Sequence, residues 1–369
     1  MSAGSGIGRL FRVTTWGESH GKGVGVVVDG CPAGLPLCEE DIQIYLNRRK
    51  PGTSKFTTPR KEDDLVEILS GVFEGKTTGT PISMVVFNKT QRSKDYSEIA
   101  SYYRPGHADY TYDCKYGFRD YTGGGRSSGR ETIARVAAGA IAAKLLKEMG
   151  ISVEAYTKAI GPVAISPEHF DINQRLENAV CMPDEEAAQR AEVYLEACMK
   201  EHNSSGGVIE CRISRVPAGL GEPCFDKLSA DLGKAVLSIG AVKGFEIGDG
   251  FGVAEATGLT NNDAFAFDEE GNVIKKTNHA GGILGGISDG SEIIFRAAIK
   301  PTPSIHATQE TVNKNGENIS INIKGRHDPV IVPRAVVVVE CMAAITVLDA
   351  LLVNMSSRVD RIKEFYEKI

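Results

Sequence analysis

The 369-residue sequence has no excess of positive charge: 42 Lys and Arg stand against 48 Asp and Glu, a net charge of −6. A nucleic-acid-binding domain usually carries a basic face, so that class is excluded for the chain as a whole. Paired cysteines are also missing. The eight, at 31, 38, 114, 181, 198, 211, 224 and 341, include no C-x-x-C pair and no Cys/His cluster at zinc spacing, so no metal site is expected. Scattered single cysteines in a chain this long read as a reducing compartment. The first fifteen residues lack the charged-then-apolar order of a signal peptide. The longest apolar stretch, Ala335 to Val353, is interrupted by Glu340 and Asp349 and predicts a buried helix rather than a membrane span. The expectation is a soluble cytoplasmic protein with neither a membrane nor a nucleic-acid partner. In that compartment the N-x-S/T matches at Asn88, Asn203, Asn318 and Asn354 carry no glycan.

Two common nucleotide-binding signatures are absent as well. No G-x-G-x-x-G lies between a strand and a helix, so a dinucleotide-binding domain is unsupported. Gly71-Val72-Phe73-Glu74-Gly75-Lys76-Thr77 is one residue short of a phosphate-binding P-loop, whose spacing sets how many backbone N–H groups face the phosphates; it reads as a strand-turn. Gly17-Glu18-Ser19-His20-Gly21 matches the G-x-S-x-G nucleophile elbow, which needs a strand before it and a helix after it. A second strand follows instead, and the position is too early for a hydrolase sheet.

What is abundant is glycine: 41 residues, about 11% against a usual ~7%. They cluster, as turns and close approaches of backbone to ligand require. Strands are predicted at 11–15, 24–29, 208–214, 293–299 and 319–323, with an Asn315-Gly316 turn before the last. Helices are predicted at 39–50, 130–149, 184–201 and 225–239. Ser128 and Glu131 form a capping-box pattern before the second helix, and Gly150 a stop after it. The first helix is acidic at its start and basic at its end, so Arg48, Arg49 and Lys50 read as a solvated helix end. Asn203 to Gly207 is the best linker candidate. Pro32-Ala33-Gly34-Leu35 recurs as Pro217-Ala218-Gly219-Leu220, and Gly125-Arg126 recurs as Gly325-Arg326. The shared order and context predict an internal duplication with half-repeats 1–202 and 208–369.

Several loops offer donors for a large anion. Gly123-Gly124-Gly125-Arg126-Ser127-Ser128-Gly129-Arg130 places three glycines, two guanidinium groups and two hydroxyls at a helix start, where free N–H groups, dipole and charge favour an anion. A Ser128 that caps the helix is less available to a ligand. Arg104-Pro105-Gly106-His107-Ala108-Asp109 holds a histidine in a turn, and residues 279–286 form a second glycine-rich turn. Lys300-Pro301-Thr302-Pro303-Ser304 is a rigid loop with a cation and two hydroxyls, and Arg326-His327-Asp328 sets three chemically active side chains in a row. Each alone is more often structural. Together they describe an enzyme for phosphorylated ligands, with His and Asp groups to move protons.

These stretches resemble the chorismate synthase family. The resemblance is carried by residues 17–21 running to Asp29-Gly30-Cys31-Pro32, by 125–132, and by Arg326 to Glu340, with 104–109 and 278–282 in support. It spans nearly the whole chain. It implies a lyase that converts 5-enolpyruvylshikimate 3-phosphate to chorismate and phosphate, the last shared step toward aromatic amino acids, by an anti 1,4-elimination that requires reduced FMN without net redox change. By the same resemblance, His20 protonates the leaving phosphate, His107 lies beside the flavin, and Asp328 helps remove the substrate proton, with Ser19 and Ser128 as proton relays. FMN contacts fall on Arg126, Ser127, Ser128, Gly240, Ala241, Gly285, Lys300, Pro301, Thr302, Pro303, Ser304 and Arg326. Substrate contacts fall on Arg49, Lys55, Arg104, Arg130 and Arg326, so Arg49 is no longer read as solvated. Lys55 departs from an expected arginine and loses the bidentate fork, and Gly129 stands where alanine is common.

The resemblance further implies an α+β fold, a β-α-β sandwich with helices between two antiparallel sheets, assembled as a homotetramer, with 1–369 as one catalytic domain. Two sources of flavin reduction stay open, NADPH used by the enzyme itself or an external reductase; the motifs leave no room for an added reductase domain. The competing reading is an FMN-binding protein without lyase activity, which would not need His20, Arg49 and Arg130 together.

Overall fold

The computed structural model describes residues 4–52, 54–57, 62–89, 98–323 and 328–368. Two five-stranded antiparallel sheets dominate it. The first is built from β1 (Gly6–Ile7), β2 (Arg12–Gly17), β3 (Gly23–Asp29), β4 (Val66–Ile68) and β5 (Ile82–Phe87), in the spatial order β1-β2-β3-β5-β4. The second comprises β6 (Ser152–Ile160), β7 (Val163–Ala164), β8 (Gly207–Ser214), β9 (Val242–Ile247) and β10 (Ile293–Ile299), in the order β9-β10-β8-β6-β7. Apart from the short edge strands, both sheets place their first, second, fourth and third strands side by side in that order.

Among the described residues eight α-helices accompany them: α1 (Glu39–Arg49), α2 (Asp109–Tyr116), α3 (Thr132–Glu148), α4 (Glu185–Lys200), α5 (Leu228–Leu237), the single turn α6 (Gly258–Asn261), α7 (Val332–Asn354) and α8 (Val359–Glu367). Helix α3 packs on β2, β3 and β5, α7 packs on β6 and β8, and the two helices run against each other. They approach so closely at Gly139 that an added Cβ would lie 2.2 Å from Cys341 Cβ; only glycine fits there. Helix α7 has 18 of its 23 residues buried, the signature of a core helix apolar on all sides. Its carboxylates are engaged. Glu340 accepts two bonds from Arg48, at 2.6 and 2.9 Å, and one from the Ala155 N–H. Asp349 accepts from the backbone of Arg9, Leu10 and Phe11.

The two Pro-Ala-Gly-Leu turns adopt the same hydrogen bonding. The Gly34 N–H donates to Thr77 O and the Leu35 N–H to Thr77 Oγ1, which donates to Pro32 O at 2.7 Å. The Gly219 N–H donates to Ser288 O and the Leu220 N–H to Ser288 Oγ, which donates to Pro217 O at 2.6 Å. Thr77 and Ser288 each close a two-strand hairpin, Val72–Phe73 with Lys76–Thr77 and Ile283–Leu284 with Ile287–Ser288. The 71–77 segment is therefore the strand-turn expected, not a phosphate loop.

Three local expectations are corrected. The Ser128–Glu131 capping box is not formed: residues 125–131 make two 3-10 turns, the Ser128 side chain accepts from the Arg130 N–H, and Glu131 binds Arg135 instead. Asn203 to Gly207 is no linker, because the Ser205 N–H donates to Pro329 O and Gly207 already pairs within the second sheet. The helix expected at 225–239 begins only at Leu228, after a 3-10 turn over Cys224–Asp226. Gly150 does end α3, at φ 75°.

Candidate active site

The loop between β2 and β3 carries Ser19 and His20. Ser19 Oγ stands 3.1 Å from His20 Nδ1 and donates to Gly123 O at 3.2 Å. With its hydrogen on Gly123, the hydroxyl offers a lone pair to Nδ1–H; in that tautomer any proton the ring gives up leaves from Nε2. The Nδ1–Cε1 edge of the ring abuts Gly123: a Cβ there would sit 2.1 Å from His20 Cε1 and Nδ1. The glycine triplet is thus needed for the close approach of its backbone to the imidazole.

Gly124 leads on to Arg104, whose Nη2 lies 3.6 Å from the position a Gly124 Cβ would take. Arg104 is buried and grips Asp109 through Nε and Nη2, both at 2.8 Å. Burial opposes ionisation of Asp109, but Arg104 and Arg119 outweigh it and hold the carboxyl below its ordinary value. In the same turn, His107 Nε2 meets Ser304 Oγ at 2.7 Å and Lys300 Nζ donates to Gly106 O at 2.6 Å. The Lys300 N–H donates to Ala241 O, and Ala241 is left-handed at φ 74° beside exposed Gly240. Burial, and then Lys243, press the Lys300 pKa down. Thr302 Oγ1 is buried with no hydrogen-bond partner among the described residues, so its hydrogen-bonding capacity is unused by them. A lysine with a lowered pKa, an unsatisfied hydroxyl and backbone groups beside small residues fit a phosphorylated, aromatic cofactor such as FMN.

A second cluster adjoins the first. Arg49, at the end of α1, is 4% exposed, not the solvated residue its position in the helix suggests. Its Nε donates to Thr132 Oγ1 at 3.0 Å and its Nη1 to Asp64 Oδ2 at 2.9 Å. Burial, and then the Arg334 and Arg130 charges, lower its pKa to about 10 against the pull of Asp64, which leaves it a cation at neutral pH. Arg130 Nη1 binds Asp64 Oδ1 at 3.0 Å and pairs with Glu62. Arg334 donates from Nη1 to Asp328 Oδ2 at 2.6 Å and from Nε to Arg49 O at 3.0 Å. Three guanidinium groups therefore face three carboxylates, and a cleft of about 170 Å³ lined by Asp64, Phe87, Lys89 and Arg130 opens beside them.

Asn88 joins the clusters. Its Nδ2 donates to Glu18 O at 3.0 Å and Gly21 O at 2.8 Å, and its Oδ1 accepts from Arg130 Nε at 2.5 Å. Ser19, His20, Arg104, His107, Arg130, Arg49, Ala241, Lys300 and Ser304 thus belong to one neighbourhood, and Ser205, bonded to Pro329, brings Asp328 to its border through the Ser204–Thr302 contact at 2.7 Å. The Arg126 guanidinium donates to Gly17 O and Thr15 Oγ1, and the Ser127 hydroxyl donates to Gly124 O. Pro301 and Pro303 shape the Lys300 loop, and Pro303 packs on Gly106. Lys55 instead pairs with Glu192 and Glu196 of α4 at 3.0 and 2.8 Å. Gly285 occupies the tip of the 283–288 hairpin, and Arg326 lies outside the described residues.

Asp64, Asn88 and Arg334 are the site residues sequence reasoning missed. Asp64 sits in an acidic run and Arg334 in an apolar helix, while Asn88 drew notice only as a glycosylation match. Their partners are up to 285 positions away, so no local pattern reveals them.

The family model for chorismate synthase matches residues 11–352. The chain is 71% identical over 367 residues to the chorismate synthase of Agathobacter rectalis, with 100% of both chains covered. It is 55% identical to that of Synechococcus elongatus, covering 95% of this chain and 97% of the relative. A solved structure described as a crystal structure of chorismate synthase aligns with TM-score 0.77 at 32% identity over 98% of both chains. The chain belongs to the chorismate synthase family, the carbon–oxygen lyases that convert 5-enolpyruvylshikimate 3-phosphate to chorismate and phosphate for aromatic amino acid biosynthesis.

Proposed function

We propose that His20 protonates the departing phosphate and that Asp328 assists removal of the C6 proton in this family's anti 1,4-elimination. The observation that carries the reading is the continuity of the site: an imidazole held by Ser19 and Gly123 adjoins a cluster of buried guanidinium groups. Arg49, Arg130 and Arg104 are the cations for the substrate's phosphate and carboxylates. A phosphate dianion leaves readily once protonated, and an imidazole near its own pKa is suited to deliver that proton. As Nε2 gives it up, the neutral ring keeps its Nδ1–H on Ser19. Arg334 fixes the position of the Asp328 carboxylate through its Nη1–H donor at 2.6 Å.

Reduced FMN, which the family requires, would supply transient electron density to the elimination without net redox change. Lys300, Thr302, Ser304 and the backbone at Gly240 and Ala241 would hold it, with His107 beside it. Ser128, Arg126, Ser127 and Gly285 complete that assignment, Arg326 serves both ligands, and Lys55 belongs to the substrate set. NADPH is the candidate source of flavin reduction.

The proposal extends to the architecture. The shared strand order, the matched Pro-Ala-Gly-Leu turns and the helices lying on the sheets support one catalytic domain, a β-α-β sandwich of duplicated halves. Homotetrameric assembly in the cytoplasm would cover exposed apolar side chains such as Phe251 and Leu259, 83% and 97% exposed.

The test is an anaerobic assay of chorismate and phosphate release with dithionite-reduced FMN, comparing wild type with His20→Ala. The variant should lose at least about 100-fold in turnover while its FMN affinity is retained. Equal loss of both would remove His20 from the role of acid.

A further inference from the structure

We propose that Asn88 is a positioning residue that locks the His20 loop and the Arg130 guanidinium into one unit, so that the acid and the substrate-binding cation are aligned by a single side chain. Asn88 follows the last residue of β5, and its backbone N–H still donates to Lys22 O at 3.0 Å. Its place therefore continues the β3–β5 ladder, in which the preceding Phe87 opposes Gly23, by one residue into the end of the loop. The carboxamide donates to the carbonyls of Glu18 and Gly21, the two residues that bracket Ser19 and His20. Those carbonyls belong to one tight turn, closed by the Gly21 N–H on Glu18 O at 3.2 Å. Both N–H groups of the amide are thus spent on the loop and the oxygen on Arg130 Nε. The orientation is unambiguous: reversing the amide would set its oxygen against two carbonyls and its nitrogen against a guanidinium N–H.

The consequence for Arg130 is a fixed plane. Its Nε is held by Asn88 and its Nη1 by Asp64 and Glu62, so the fork cannot rotate independently of the loop. A 1 Å misplacement of a catalytic group costs on the order of 100-fold, and Asn88 controls two such placements at once. Its own atoms need not touch the substrate.

This inference rests on His20 being the acid and Arg130 a substrate ligand. Asn88→Asp separates the two functions. It keeps an oxygen for Arg130 Nε but loses both N–H donors and turns a carboxylate oxygen toward the Glu18 and Gly21 carbonyls. Asn88→Ala removes both functions. Kinetics with reduced FMN are run beside calorimetric titration of 5-enolpyruvylshikimate 3-phosphate into enzyme carrying oxidised FMN, which reads substrate binding without turnover. Asn88→Asp is expected to lower kcat by about 10- to 100-fold with substrate affinity within about threefold of wild type. Asn88→Ala should lower kcat similarly and also weaken substrate binding about tenfold, the order expected for a lost charge-assisted contact. Equal kcat and affinity losses in Asn88→Asp would overturn the inference, and that comparison stands alone if the alanine variant does not fold. Wild-type behaviour of both variants while His20→Ala is inactive overturns the role of Asn88 only. Wild-type turnover in His20→Ala overturns the underlying reading together with it.

Discussion

Gly123→Ala adds one methyl group to the most constrained contact in the site. The ideal Cβ lies 2.1 Å from His20 Cε1 and Nδ1 and 2.9 Å from Ser19 Oγ, on a backbone at φ 71°. Ordinary contact between such atoms begins near ~3.5 Å, so the ring must retreat by roughly 1.4 Å, the difference between that distance and 2.1 Å. Displacement of a catalytic group by about 1 Å costs on the order of 100-fold in rate. The left-handed backbone adds about 1–2 kcal/mol of strain for alanine, worth a few degrees of melting temperature at about 2–4 °C per kcal/mol. The expected variant is folded, melts a few degrees lower, and turns over about 100-fold more slowly with reduced FMN. Gly129→Ala is the matched control: no atom lies within 4 Å of its added Cβ and its φ is not left-handed, so both rate and melting temperature should stay at wild type. Turnover of Gly123→Ala within threefold of wild type would refute the packing of His20 on this loop. So would a rate loss accompanied by gross unfolding.

The cationic cluster gives a stability prediction. Asp64 is fully buried between Arg49 and Arg130, and Asp64→Asn, which tolerates its φ of 47°, leaves three guanidinium groups facing two carboxylates. Removing one partner of a buried pair costs about 3–5 kcal/mol, readable by urea unfolding; a loss below about 1 kcal/mol would contradict the charge balance. Asp109 gives a pH prediction. Its folded pKa is depressed by Arg104 and Arg119 against the effect of burial, so its contribution is complete above the unfolded value of about 3.9 and fades as pH falls through the folded value. The melting temperature should drop as pH falls below about 4, and Asp109→Asn should flatten that part of the curve; parallel curves for the two proteins would refute it.

The legible parts of this chain were those decided by neighbours in sequence. The strand expected at 293–299 is β10 at its observed bounds, and the helix expected from dipole order at 39–50 is α1 to within one residue. The glycine triplet and the Lys300 loop were recognisable as candidate ligand loops because glycines, cations and hydroxyls occur together in them. What failed at Ser128 was a competition between partners: the motif allowed a capping box, but Arg135, one turn along α3, takes the Glu131 carboxylate. Arg49 misled for a related reason. The helix dipole explains a basic C-terminus equally well whether it meets water or Asp64, and only tertiary packing distinguishes the two. Asn88 was unreadable because an asparagine after a strand has no periodicity, and its significance lies in what the sheet brings to it.

Helix α7 sets the timetable of folding. A chain growing from its N-terminus completes both sheets' strands before residues 332–354 are made, yet α3, α5, β6 and β8 all rest on that helix. Until it arrives, their apolar faces have no cover, so the nascent protein is most exposed to aggregation and most in need of chaperones during this late interval. Asp328 and Arg334 are translated in the same interval, so under the roles proposed for them the site and the core are completed together. Helix α8 follows with no buried residue, so α7 is the last helix to add to the core.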